Sequence, residues 1–122
     1  MSIIGPGGGG VAGPWTNVTI GPKVEQFHLG QVTQVRLEGS SARLRGMLQI
    51  RTGQTLESAD PLLTVPEGFR PPGICFINTQ KGDSFVVLRL YLQTSGILLV
   101  EGAGAPTAGA YIPLDGITYN IS

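Results

Sequence analysis

Two long segments of strict alternation constrain this chain more than any other feature of its 122 residues. From Ala42 to Thr52, every second residue is apolar or small, and the residues between are mostly arginine or glutamine. From Phe85 to Gln93 the same alternation places aliphatic residues on one face: Val86, Leu88, Leu90 and Leu92. A period of two is typical of a half-buried β-strand, because successive side chains point to opposite faces of a sheet.

Glycine- and proline-containing turns separate the remaining apolar segments. Gly21-Pro22 ends one short strand-like segment, residues 39–41 join two alternating segments, and residues 94–96 join two more. No segment combines helical apolar spacing with helix caps. About eight short strands at regular spacing predict an all-β fold, either an antiparallel β-sandwich or a small jelly-roll-like barrel.

The first 14 residues differ from the rest of the chain. They are rich in glycine and proline, and Gly7, Gly10 and Gly13 recur at a period of three. Such a segment predicts an extended arm that acts as an anchor or linker, whereas residues 15–122 predict a single globular domain. If the arm docks on a larger assembly, we expect its contacts to come from Ile3, Ile4 and the three glycines.

The residues that most often carry chemistry are scarce. His28 is the only histidine and Cys75 the only cysteine, so neither a triad nor a structural zinc site has its usual partners. Cys75 lies in an apolar run and is expected to be a small buried hydrophobe. A pair of carboxylates brought together by folding is the remaining route to catalysis. We predict no catalytic residue, no metal and no cofactor.

Charge and hydropathy also exclude several classes of partner. Eight basic residues balance eight acidic ones, and nucleic-acid-binding proteins usually have a basic excess. No window approaches the roughly 20 apolar residues of a membrane-spanning helix, and the N-terminus does not resemble a signal peptide. We therefore expect no nucleic-acid partner, no membrane insertion, and folding in a reducing cytoplasm.

Several features predict an oligomer. Charged residues make up only 13% of the chain, about half of the ~25% that is usual for soluble domains. Val87, Ile97 and Leu99 are expected opposite the core face, where a monomer would leave them in water. The arginines Arg43, Arg45 and Arg51 share the outer face of one predicted strand. A solvated face or salt bridges to another subunit explain them better than a binding stripe for phosphate or an acidic partner.

Exposed aromatic side chains flanked by polar groups are a common feature of sugar-binding sites. Tyr91 is expected to face away from the core, and Tyr111 lies beside a loop of small residues. These two tyrosines are the candidate ligand-binding residues, although packing in the core or at an interface is the alternative role for both.

Three short segments carry a resemblance to a known family. They are the strand-like Trp15–Ile20 after the arm, the segment Leu62–Pro71 with the sequence LLTVPEGFRP, and the final segment Ile112–Tyr119. In this order they resemble the small β-rich domains of tail-fibre and minor tail proteins of tailed bacteriophages. The resemblance covers residues 15–121, although family members usually carry the domain at the end of a longer fibre.

The resemblance implies a virion structural protein, made in the bacterial cytoplasm, that forms a homotrimer. It would be a tail-tip or minor tail appendage, attached to other virion proteins by the arm and exposed for recognition of host-surface carbohydrate. A capsid decoration protein or head fibre that coats or cements the shell is the alternative. A small glycan hydrolase is the least supported hypothesis, because the expected catalytic residues are missing.

Overall fold

The computed structural model describes residues 12–27, 32–80, 87–101 and 111–122. Its one helical turn within these ranges is a 3-10 helix over Glu67–Phe69. All other regular structure described is β, in twelve short strands. The strands are β1 Thr16–Asn17, β2 Thr19–Ile20, β3 Val24–Gln26, β4 Gln34–Glu38, β5 Ser41–Arg45, β6 Met47–Ile50, β7 Pro61–Thr64, β8 Cys75–Gln80, β9 Val87–Leu92, β10 Ile97–Val100, β11 Tyr111–Pro113 and β12 Thr118–Asn120. The predicted all-β fold is confirmed.

The strands form three antiparallel sheets. A four-stranded sheet has the order β1-β4-β5-β12, a five-stranded sheet has the order β2-β7-β10-β9-β8, and a three-stranded sheet has the order β11-β6-β3. The predicted hairpin with a turn at residues 39–41 is present as β4–β5, in which Arg36 pairs with Arg43. The second predicted hairpin is β9–β10, in which Leu98 pairs with Leu92.

One apolar core lies between the sheets, and period-two alternation selects most of its members. Leu44, Leu48 and Ile50 are at most 1% exposed, as are Leu90 and Leu92. Further core side chains come from β3, β7, β10 and the segment around β11, so all three sheets contribute. Burying this aliphatic surface is the main favourable term in the stability of the fold.

The predicted continuous strand from Ala42 to Thr52 is wrong at its centre, because the chain turns a corner at Gly46. Gly46 has a φ of +113°, and β5 and β6 on either side of it belong to different sheets. The Gly46 N–H donates to Asp115 Oδ1 at 2.7 Å, and the Leu114 N–H donates to the Gly46 carbonyl at 2.9 Å. The apolar alternation runs through the corner unchanged, because both sheets cover the same core.

A partly buried ion pair joins Lys23, just before β3, to Asp60, just before β7. Because of this pair, the free energy of unfolding should depend on pH in the acid range. Lys23 Nζ lies 2.8 Å from Asp60 Oδ2, which also accepts the Glu57 N–H at 2.6 Å. Burial raises the pKa of Asp60, but the hydrogen bonds from Lys23 and from the Glu57 N–H outweigh it and hold the pKa below its ordinary value. The unfolded chain therefore binds this proton more readily, and the stabilisation is lost as pH falls below about 4.

We expect Asp60→Asn to flatten the fall in unfolding free energy between about pH 5 and pH 2, as measured by urea denaturation across that range. Glu57→Gln is the control, because the Glu57 carboxylate is 79% exposed and 3.8 Å from Lys23. An Asp60→Asn profile with the slope of the unchanged protein would show that this pair does not carry the acid sensitivity.

Candidate interaction surface

The outward side of the five-stranded sheet carries an unusual set of apolar side chains. We call it the aromatic face and define it by Ile74, Phe76, Val87, Arg89 and Tyr91. It exists because side chains alternate along β8 and β9: every second residue packs towards the core, whereas these face out together with the polar Asn78 and Gln80. The antiparallel register sets Phe76 directly beside Tyr91, and Tyr91 beside Leu99 of β10. A cross-strand row of two rings and a leucine results, in which neighbours stabilise one another.

The aromatic face is exposed to a degree that apolar side chains seldom are. Among the described residues, four large hydrophobic side chains are exposed, and three of them lie here: Ile74 at 59%, Phe76 at 59% and Val87 at 66%. The Phe76 and Tyr91 ring centroids are 6.3 Å apart, with the ring planes tilted by 44°. Exposed apolar side chains grouped in this way mark sites of contact with a partner.

The charges on this face neutralise each other. The Arg89 guanidinium lies over the Phe76 ring, 4.8 Å from its centroid, and Arg89 Nε is 3.1 Å from Glu101 Oε1. The Glu101 N–H also donates to the Arg89 carbonyl at 2.9 Å. A partner that covers this face would therefore bury a matched ion pair. Burying an isolated charge would have a larger free-energy cost.

The three residues predicted to face away from the core have different environments. Val87 is exposed as predicted, and Ile97 is half-buried. For Leu99 the prediction that a monomer leaves it in water is wrong, since it is only 8% exposed. Leu99 lies in an inner strand of the sheet, with Tyr91 as its neighbour on one side and Pro61 on the other.

The two candidate tyrosines lie in different sheets. Tyr91 is half-buried on the aromatic face, and Tyr111 is half-buried in β11, an edge strand of the three-stranded sheet. The Tyr111 ring packs on Phe27, with centroids 5.1 Å apart, and its backbone neighbour in β6 is Gln49. The structure therefore makes two separate aromatic sites rather than one.

Phe76 is a third candidate aromatic residue, and the sequence analysis did not identify it as exposed. It lies in the apolar run 74–77, where a core role is the simplest interpretation. Cys75 and Ile77 in that run do pack against the core, although Cys75 is only half-buried. Alternation along the run is the signal that points Phe76 outward. A shallow depression of about 470 Å³, lined by Asn78, Thr79, Gln80 and Val87, adjoins the face.

The predicted arginine stripe is interrupted by the corner at Gly46. Arg43 and Arg45 lie in β5, whereas Arg51 follows β6 and pairs with Glu25 at 3.6 Å. Within its own sheet, Arg43 is 3.5 Å from Glu38. The expected salt bridges thus exist inside one chain, with no second subunit required to form them.

Gly13 is the member of the proposed anchor that the structure describes. Its N–H donates to the Leu37 carbonyl at 2.9 Å, which extends the pairing of β1 along the edge of β4. The other anchor residues, Ile3, Ile4, Gly7 and Gly10, lie outside the described residues, as does His28.

The described ranges bring together no group of three or more histidine, cysteine or acidic side chains that could hold a metal ion. No helix there is long and apolar enough to cross a membrane. Comparison with protein-family models and with curated proteins finds no match to this chain.

Proposed function

We propose that this protein is a non-catalytic structural subunit of a bacteriophage virion that assembles as a homotrimer and serves as a tail-tip or minor tail appendage. The proposed assembly is supported mainly by the aromatic face, in which Ile74, Phe76 and Val87 are each more than half exposed. The virion setting comes from the motif resemblance in residues 15–121.

A second copy of the chain is the occupant that best fits the aromatic face. Its ion pair, Arg89 with Glu101, is already matched, so that another apolar surface of low charge can cover it. The whole chain has zero net charge and only 13% charged residues, so copies do not repel one another strongly. In a cyclic trimer, this face of each protomer would contact a different patch of the next.

Assembly through the aromatic face leaves Tyr111 as the candidate for host recognition, because Tyr91 would be covered by the neighbouring protomer. The Phe27–Tyr111 ring pair offers an apolar surface on which the C–H face of a sugar ring can stack. Gln49, beside Tyr111 in the sheet, supplies an amide for hydrogen bonds to hydroxyl groups.

We expect Tyr111→Ala to weaken binding of the trimer to purified host cell walls by roughly tenfold, a loss comparable to about 1.4 kcal/mol. Pull-down with a dilution series of labelled trimer measures this. Val32→Ala is the control and should bind as the unchanged trimer does, because Val32 is an exposed apolar residue that belongs neither to the aromatic face nor to the Tyr111 site. Equal loss in both variants, or in neither, would remove Tyr111 from a recognition role.

The alternative, a capsid decoration protein or head fibre, shares the same assembly but differs in copy number. Quantitative mass spectrometry of purified particles separates the two. Tens of copies or fewer per virion support the tail appendage, whereas hundreds support decoration of the shell, and absence from the particle contradicts both.

A further inference from the structure

The outer side of the four-stranded sheet, which is separate from the sheet of the aromatic face, carries a concentration of positive charge. We call it the arginine face and define it by Trp15, Arg36, Arg43 and Arg45, with Glu38 at its margin. Arg36 and Arg43 stand directly opposite each other in the β4–β5 register. Like charges in that position destabilise a sheet unless something compensates them.

The compensation inside the chain is incomplete. Glu38 Oε2 is 2.7 Å from Arg36 and Glu38 Oε1 is 3.5 Å from Arg43, so one carboxylate serves two guanidinium groups. Among the described residues, no other carboxylate lies within salt-bridge distance of Arg36, Arg43 or Arg45. Three cations against one anion leave this face with an excess of two positive charges, although the whole chain is neutral.

Two of the three guanidinium groups are also held in place by Trp15. The Arg36 and Arg45 guanidinium carbons lie 4.5 and 4.1 Å from the centroid of the Trp15 ring. Arg45 Nε donates to Gln34 Oε1 at 3.1 Å, and Gln34 in turn donates to Asn17 Oδ1 at 2.9 Å. Arginines fixed in this way lose little rotamer entropy when a ligand arrives, which favours binding.

We propose that the arginine face is a binding site for an oxyanion, a phosphate or carboxylate group carried by an acidic polymer on a partner. Arg43 is the residue that contacts the ligand most directly, because its side chain is 44% exposed and makes the longer of the two contacts with Glu38. A guanidinium presents paired N–H donors that match two oxygens of such a group. The site lies on a different sheet from the aromatic face.

The electrostatics of Glu38 keep the face in one state at neutral pH. The hydrogen bond from Arg36 lowers the pKa of Glu38 below its ordinary value, which outweighs the opposing effect of burial. The carboxylate therefore remains ionised, and the excess charge of the face does not change as pH varies around neutrality. Binding should weaken as salt concentration rises, because the arginines and the oxyanions of the ligand meet near the surface, where dissolved ions screen their attraction.

Trp15 is the only tryptophan in the chain, so its fluorescence reports on this site directly. We would titrate the full-length protein at low salt with sodium polyphosphate and with alginate, following tryptophan emission and, in parallel, the heat of binding. Saturable binding of either polymer is expected. Preference for polyphosphate would assign phosphate as the ligand group, and preference for alginate would assign carboxylate.

Arg43→Gln should weaken this binding roughly tenfold, as expected for loss of a charge-assisted bidentate contact. Arg51→Gln is the matched control, because Arg51 is another exposed arginine with its own carboxylate partner. The affinity of this variant for the polymer should stay within about twofold of that of the unchanged protein. The proposal is overturned if neither method detects binding of either polymer, or if the two variants lose affinity equally. Tighter binding of oligo-dT than of polyphosphate would also overturn it, by assigning a nucleic-acid site.

Discussion

Replacing Gly46 with alanine should lower the free energy of unfolding by about 3–5 kcal/mol, because both the backbone conformation and the space at this corner require glycine. The backbone there has a φ of +113°, which residues other than glycine rarely adopt. A Cβ at Gly46 would also lie 2.6 Å from the Thr33 Cα and 2.8 Å from its Oγ1. Because the nearest atom is backbone, the clash cannot be relieved by rotating a side chain.

Gly53→Ala separates the two causes of this effect. Gly53 has a φ of +83°, but a Cβ there would meet no atom within 4 Å. We therefore expect a loss of about 1 kcal/mol from backbone strain alone. Urea denaturation of both variants at one protein concentration measures the difference. If Gly46→Ala were no more destabilising than Gly53→Ala, the corner between β5 and β6 would not have the close packing described.

Replacing Phe76 with serine should convert the proposed trimer into monomers at micromolar concentration. Phe76 is the largest exposed apolar side chain at the centre of the aromatic face, flanked by Tyr91 in the next strand. Aromatic residues at the centre of an interface often contribute 2 kcal/mol or more to binding, which is enough to shift a micromolar assembly. Phe76 is not a member of the core, so the fold of each chain should survive the change.

Asn78→Ser is the matched control for Phe76→Ser. Asn78 is the next outward residue of β8 and is also exposed, but it contributes no aromatic surface. We expect this variant to remain trimeric. Circular dichroism of both variants should match that of the unchanged chain, which shows that any difference in mass comes from the surface and not from unfolding.

The alternation of side chains was enough to predict the all-β fold and the core faces of its main strands. Leu44, Leu48 and Leu90 are buried where the period of two places them. The corner at Gly46 could not be found in this way, because the apolar pattern continues across it and glycine fits a core position as well as a turn. The assignment of β5 and β6 to different sheets depends on pairing with residues far along the chain.

The candidate surfaces were predicted only in part, for a related reason. Alternation can show that a side chain points outward, but it cannot show what lies next to it. Leu99 lies in β10 with a strand on each side, whereas Phe76 lies in the edge strand β8, and only the strand order distinguishes them. The contact of Trp15 with Arg36 and Arg45 likewise depends on β1 lying along the edge of β4.

The proposed function depends on assembly of this chain with copies of itself through the aromatic face. Its most direct test is the mass of the unchanged protein in solution, measured by size-exclusion chromatography with light scattering over a range of micromolar concentrations. We predict a species with three times the 12.8 kDa mass of one chain, and a single-chain mass for Phe76→Ser. A stable monomer of the unchanged protein across that range would rule out the proposed assembly through the aromatic face.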